Sequence, residues 1–197
     1  MTVTLSRTAS AALAELCAGL RWDALPEDAR ERTKELVLDH LGVAVRGSRA
    51  ASSVAVHEFV RGMGAGAATV LGGGMTSAAP WAALANGASA HAPEMDDVTT
   101  ESSLHPGVAV IPAALGLAEE GGAAGSAFLE AVVGGYEVTM RVGNALDPAS
   151  SYERGFHPTG VAGVFGAAVA AGRLLGLDQG ALVRAIGIAG TMASGSM

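Results

Sequence analysis

Residues 91–105 read HAPEMDDVTTESSLH and stand between two alanine-rich apolar runs, Ser77–Ala90 (SAAPWAALANGASA) and Pro106–Glu120 (PGVAVIPAALGLAEE). The central stretch has neither helical nor strand periodicity, whereas each flank is long and small enough in side chain for closely packed helices. Glu94, Asp96, Asp97 and two histidines therefore fall in a break between two helices. Ionisable groups placed there form a candidate site.

Working toward the N-terminus, Gly62–Gly74 (GMGAGAATVLGGG) is punctuated by glycine around a β-prone Thr69–Leu71. It matches neither a dinucleotide fingerprint nor a phosphate loop with its lysine, so it reads as a turn and a short strand. Ala50–Arg61 reads as a helix. Before it, Pro26 opens a helix with Glu27 and Asp28 at its positive end and Val37, Leu41, Ala44 and Val45 as its buried stripe, stopping at Gly47. Leu13, Leu16, Cys17 and Leu20 recur at helical spacing in the first helix. His40 and His57 lie within helical patterns and read as structural.

Toward the C-terminus, Gly121 and Gly122 end the helix that begins near Pro106. Ser126 is the expected cap of the next, whose stripe is Leu129, Val132, Val133, Tyr136 and Met140. DPASSYERGFHP, residues 147–158, reads as a polar loop ending in His157 and Pro158. A helix carrying Val161, Val164, Phe165 and Ala168 follows, closed by Gly176 and Leu177. Asp178 caps a last helix with Leu182, Ile186 and Ala189. Together these give an all-α domain of roughly eight helices over residues 1–197, with no internal repeat and no linker.

Composition narrows the function. The formal charge is −7, with 12 basic residues dispersed along 197 positions. That argues against nucleic acid or an anionic membrane, both of which need clustered Lys and Arg. The uncharged run Gly160–Gly172 is shorter than the roughly 20 residues needed to cross a bilayer, and Arg173 closes it. The N-terminus has no basic segment leading into a long apolar run, so the expected location is the cytoplasm. A single cysteine, Cys17, excludes an internal disulfide and a four-thiolate iron–sulfur cluster.

Two breaks each lead into a His-Pro pair, at His105 and His157. Proline at the first helical position would put each histidine at a helix N-cap, beside free backbone N–H groups, where an anion such as a carboxylate is favoured and neutral imidazole is available as a base. A histidine beside proline is also an ordinary turn residue, and an acidic cluster is also a solvated loop. Metal binding through Asp96, Asp97 and a histidine is disfavoured because the acids are adjacent and no helical pair presents a formed face, so no metal is expected. There is no GxSxG elbow and no HExxH, and Cys17 sits on a core stripe.

LANGASAHAPEMDD, HPGVAVIPAALGLAE, FLEAVVGGYEV, GFHPTGVAGVFGAAVAAGRLLGLD and ALVRAIGIAG, in that order, resemble the N-terminal helical domain of the MmgE/PrpD family, which includes 2-methylcitrate dehydratase, cis-aconitate decarboxylase and iminodisuccinate epimerase. The resemblance runs from about Leu13 to the C-terminus. It implies a cofactor-independent lyase or isomerase that moves a proton beside a carboxylate in dehydration, decarboxylation or isomerisation, acting on a small carboxylate or related carbon acid. It further implies a helical domain over which a second, α/β domain closes. By position it implies that Glu94 stands at the opening acid of the family's D-F-D-D-T segment, that Asp96 and Asp97 are the paired acids, and that His105 and His157 are the two His-Pro histidines. His105 and His157 are thereby assigned to acid/base work and carboxylate binding, Glu94 or Asp97 to orienting them, and Asp96, Thr99 and Arg154 to substrate binding.

Two departures shape the expectation. Val98 stands where the family has threonine after the paired acids, leaving Thr99 as the substitute hydroxyl. Lys34 is the only lysine, and it lies in the charged part of the second helix, whereas the family carries a catalytic lysine further along its chain. The leading expectation is therefore a subunit of a split enzyme, completed by a complementary chain that supplies the lysine and the α/β lid, in a homodimeric or heteromeric assembly. The alternatives are a non-catalytic helical scaffold or binding protein, and an inactive truncated remnant.

Overall fold

A computed structural model describes residues 8–195. The reading of Met1–Arg7 as free of a leader lies outside the described residues. Among the described residues the fold is all-α. Its helices are α1 (Ala9–Gly19), α2 (Glu27–Gly47), α3 (Ala51–Arg61), α4 (Ala79–His91), α5 (Gly107–Gly121), α6 (Gly125–Ala145), α7 (Pro148–Glu153), α8 (Pro158–Leu174) and α9 (Gln179–Met192), with a 3-10 turn at Trp22–Ala24. One antiparallel hairpin, β1 (Ala68–Val70) and β2 (Met75–Ser77), pairs Thr69 with Thr76. Among the described residues no helix is long and apolar enough to cross a membrane.

Among the described residues the roughly eight expected helices become nine because Pro148–Glu153 is helical rather than loop. Six residues are too few to show an apolar period; the turn is held by Pro148 in its first turn and by the Ser151 hydroxyl donating to the Leu146 carbonyl. α6 starts after Ala124 rather than at a Ser126 cap. Asp178 does cap α9, accepting from the Ala181 N–H at 2.7 Å. Leu16 and Val45, expected inside, turn outward. In α2 the buried face is instead Thr33, His40, Val43, Ala44 and Gly47, because small side chains there let α2 lie against α4 and the loop after it. A Cβ on Gly47 would meet Pro93 Cδ at 2.9 Å.

Small residues set the spacing throughout. Where α6 crosses α8, Gly135 and Gly166 face each other, and a Cβ on Gly166 would run into the Thr139 hydroxyl and the Gly135 carbonyl. Around this crossing Val110, Ile111, Val132, Tyr136 and Ala170 form one core. Cys17, Val138, Val169, Leu182 and Ile186 form a second, under α1 and α9. Arg173 of α8 pairs with Glu130 of α6 and donates to the carbonyls of Cys17 and Leu20, fastening the chain after α1 to the bundle.

The hairpin docks on one end of the α4/α5 pair. Buried Asn86 accepts from the Leu71 N–H and donates to the Thr69 carbonyl, both at 2.8 Å. Glu119 receives the Thr69 amide and hydroxyl, and Glu120 receives the Ala79 N–H at the start of α4. Apolar burial of Val60, Ala68, Val70 and Ala82 completes this end. The other end, where α4 stops at His91 and α5 begins after Pro106, is left for the break between them.

Candidate active site

The chain from Ala92 to His105 turns by placing two ordinary residues, Glu94 (φ 52°) and Ser103 (φ 49°), in left-handed conformation. Between them Thr99 and Leu104 make an isolated antiparallel bridge, the Thr99 N–H donating to the Leu104 carbonyl at 2.9 Å. Leu104 is fully buried, so the loop is pinned to the core next to His105.

The paired acids then diverge at a bend in the loop. Asp97 accepts the Gly107 N–H at 3.1 Å through Oδ1 and the Tyr136 hydroxyl at 3.0 Å through Oδ2. It thereby caps the first turn of α5. A Cβ at position 107 would run into this carboxylate, so glycine is required there. Burial raises the pKa of Asp97, opposed by the Tyr136 and Gly107 hydrogen bonds. Burial likewise raises the Tyr136 hydroxyl.

Asp96 points the other way, with its side chain 2% exposed. Its Oδ2 lies 3.0 Å from His91 Nδ1, in hydrogen-bonding geometry, and 3.0 Å from His105 Nδ1. Burial alone would raise the Asp96 carboxyl, but the His91 hydrogen bond and the charges of His105 and His91 outweigh it and hold the pKa below the ordinary value. The same hydrogen bond raises His91, against a smaller effect of burial.

His157 is the N-cap of α8 and brings the second His-Pro pair to the first. The His91 ring centroid is 5.0 Å from His105 and 6.2 Å from His157, and Tyr152 stands edge-on to His157 at 5.9 Å. Burial lowers the pKa of His157, and the neighbouring His91 and His105 lower it further. Two backbone bonds fix this end of α8. The His105 N–H donates to the Thr159 hydroxyl at 3.0 Å, and the His157 N–H donates to the Gly195 carbonyl at 2.7 Å. His105 itself precedes the cap of α5, which is Pro106.

The remaining candidates are more peripheral. Glu94 is exposed, its Oε1 3.8 Å from His91 Nε2. The Thr99 hydroxyl is engaged with that of Ser102. Arg154 is exposed with its guanidinium 6.0 Å from the Phe156 ring centroid. His40 and His57 are buried on α2 and α3, His57 bonded to Ser89 at 3.0 Å and His40 held to a pKa of about 4 by burial, which outweighs the opposing charge of Asp96. His91 was not among the assigned site residues. The signal available for it was its place five residues before Asp96 at the end of an apolar helix, which the paired-acid motif overshadowed. His91, Asp96 and His105 present ligand atoms within 4.8 Å of one another, a grouping that would also suit a divalent cation.

Two imidazoles over one buried carboxylate, with the ring of His157 beside them, at the converging ends of α4, α5 and α8, give proton acceptors and donors within a few ångströms of one another. Residues 11–197 match the MmgE/PrpD N-terminal domain. The chain belongs to this family. Its relatives include the cis-aconitate decarboxylase of Aspergillus terreus, 34% identical over 201 residues, an alignment covering 98% of this chain and 41% of the relative. The cis-aconitate decarboxylase-like protein oryM of Aspergillus oryzae is 33% identical over 213 residues, covering all of this chain and 43% of the relative. The human cis-aconitate decarboxylase is 29% identical over 185 residues, covering 91% and 38% respectively. This MmgE/PrpD domain therefore spans about two fifths of the length of these relatives.

Proposed function

We propose that this MmgE/PrpD domain carries the histidine half of a lyase site that transfers a proton at a carbon beside a carboxylate, with decarboxylation of a cis-aconitate-like tricarboxylate as the first reaction to test. The observation that carries this reading is the meeting of His105 and His157 around His91 and Asp96. His157, whose neutral form is favoured by burial, is the proton acceptor. His105 is the donor. In a decarboxylation the departing carboxylate leaves its bonding electron pair on the adjacent carbon, the donor imidazolium supplies the proton that this carbon takes up, and His157 as acceptor takes from solvent the proton that restores the donor. In a dehydration the same pair would remove a proton from carbon and protonate the leaving hydroxyl. Neither course calls for a cofactor.

Asp96 is buried too deeply to contact a substrate and serves as the positioning residue beneath the imidazoles. Asp97 secures α5. Glu94 lies on the open side, where a substrate or a closing domain would reach it; Thr99 and Arg154 border that side.

The lysine and the α/β lid that the family resemblance implies come, in this reading, from polypeptide beyond these 197 residues, as a complementary chain in a homomeric or heteromeric assembly. Lys34 is ill placed to substitute, since it pairs with Glu31 at 2.5 Å on the outer face of α2. Native mass spectrometry of the assembly from its source, followed by turnover of cis-aconitate in deuterated water, tests the proposal. The expected result is a companion polypeptide in fixed ratio, carbon dioxide release and one deuterium on product carbon. A chain that is the whole of its assembly and turns over no di- or tricarboxylate would overturn it.

A further inference from the structure

We infer that His91 is the cation that holds a substrate carboxylate at this site, a step that rests on the carboxylate reading above. His91 is the last residue of α4, and its ring stands between those of His105 and His157. Its Nδ1 is committed to Asp96 at 3.0 Å, which fixes the ring's orientation and leaves Nε2 as the atom that meets a ligand. The His91 side chain is 34% exposed, while the Asp96 side chain is 2% exposed. Asp96 can thus support the imidazolium without competing with the substrate for its free face.

The groups around His91 act in opposite senses. Asp96, at the start of the loop's descent into the core, and Glu94, 3.8 Å from Nε2, favour its proton. His105 before α5 and His157 before α8 oppose a second and third positive charge nearby, and the Tyr152 ring stands edge-on to His157. The carboxylate beneath His91 makes it the imidazole that keeps its proton while His157 stays neutral. Lys34, Arg141 and Arg173 are paired with Glu31, Glu137 and Glu130, and Arg154 stands exposed at the rim beside Phe156. A charged hydrogen bond from His91 Nε2 would therefore supply the positive partner from within the cluster.

The test is histidine-resolved NMR of the full 197-residue chain with tricarballylate as the probe, above about pH 7, where its three carboxylates are ionised. The expected result is that the probe shifts the resonances of His91, His105 and His157 and leaves His57 unmoved. His91→Asn weakens the probe by about tenfold or more. Wild-type affinity falls as pH rises through the raised pKa of His91, and His91→Asn lacks this dependence. If the probe shifts His105 and His157 but His91→Asn binds with wild-type affinity and pH dependence, the role of His91 is overturned and the carboxylate site stands. If none of the three histidines shifts, the carboxylate reading and this inference fall together. Should His91→Asn misfold, the wild-type titration decides: His91 must keep its imidazolium signature to higher pH than His157, and the reverse order overturns the inference.

Discussion

The carboxylate of Asp97 accepts the hydroxyl of Tyr136 at 3.0 Å, tying the loop after α4 to the middle of α6. The neighbouring Asp96 turns instead toward His91 and His105. Two adjacent acids thus have separate tasks, one structural and one beneath the imidazoles. Asp97→Ala leaves the Gly107 N–H and Tyr136 hydroxyl without their acceptor and should cost about 2–3 kcal/mol in urea denaturation. Asp97→Asn, which keeps an acceptor of the same shape, should cost much less. The Asp97 pKa is raised by burial, so folding favours the protonated form and the ionised form loses stability as pH rises from about 3.8 upward. The neutral amide therefore compares best with wild type above that range.

His40 makes the fold sensitive to acid. Its pKa falls from 6.5 to about 4 on burial, so the folded state resists protonation and stability declines as pH drops through that window. The full effect is of order 3 kcal/mol. The Asp96–His91 pair works over different limits. The contribution of His91, whose pKa is raised, is complete below about 6.5 and lost as pH rises through the folded value; that of Asp96, whose pKa is lowered, is present above about 3.8 and lost as pH falls through its folded value. Thermal unfolding of His40→Gln should accordingly lose much less stability between pH 6.5 and 4 than wild type does.

Much of this fold was legible because its helices are bounded by residues with local mechanisms. Pro26, Gly122, Asp178 and Gly176 mark ends that the structure has where the sequence places them. The helix at Pro148–Glu153 was not legible, because six residues have no period. The outward turn of Val45 was not legible either. Hydropathy alone ranks valine above histidine for burial, and only the close approach of α4 at Gly47 explains why His40 lies inside. In the site, the two His-Pro pairs and the acids were readable as residue types, but which acid faces the histidines depends on how the loop bends at Asp96. That orientation also hid His91.

Ser103 bears a left-handed backbone (φ 49°) that a glycine adopts without steric cost. Ser103→Gly is expected to raise stability by about 0.5–1 kcal/mol, and Ser103→Val to lower it by more than that. Differential scanning calorimetry of the two variants distinguishes strain in the loop from an incidental turn.

Gly166→Ala places a methyl against the Thr139 hydroxyl and the Gly135 carbonyl at the α6/α8 crossing. Backbone stands in the way, so the helices must separate. A loss of about 3 kcal/mol is expected in chemical denaturation, with weakened protection of α8 amides in hydrogen exchange.

The central claim is that His105 and His157 move protons. Steady-state turnover of cis-aconitate by the active assembly, with His105→Asn and His157→Asn introduced singly, tests it most directly. Each variant is expected to lower kcat by about a hundredfold or more while the assembly keeps its composition and thermal stability. Wild-type kcat in both variants would contradict the account.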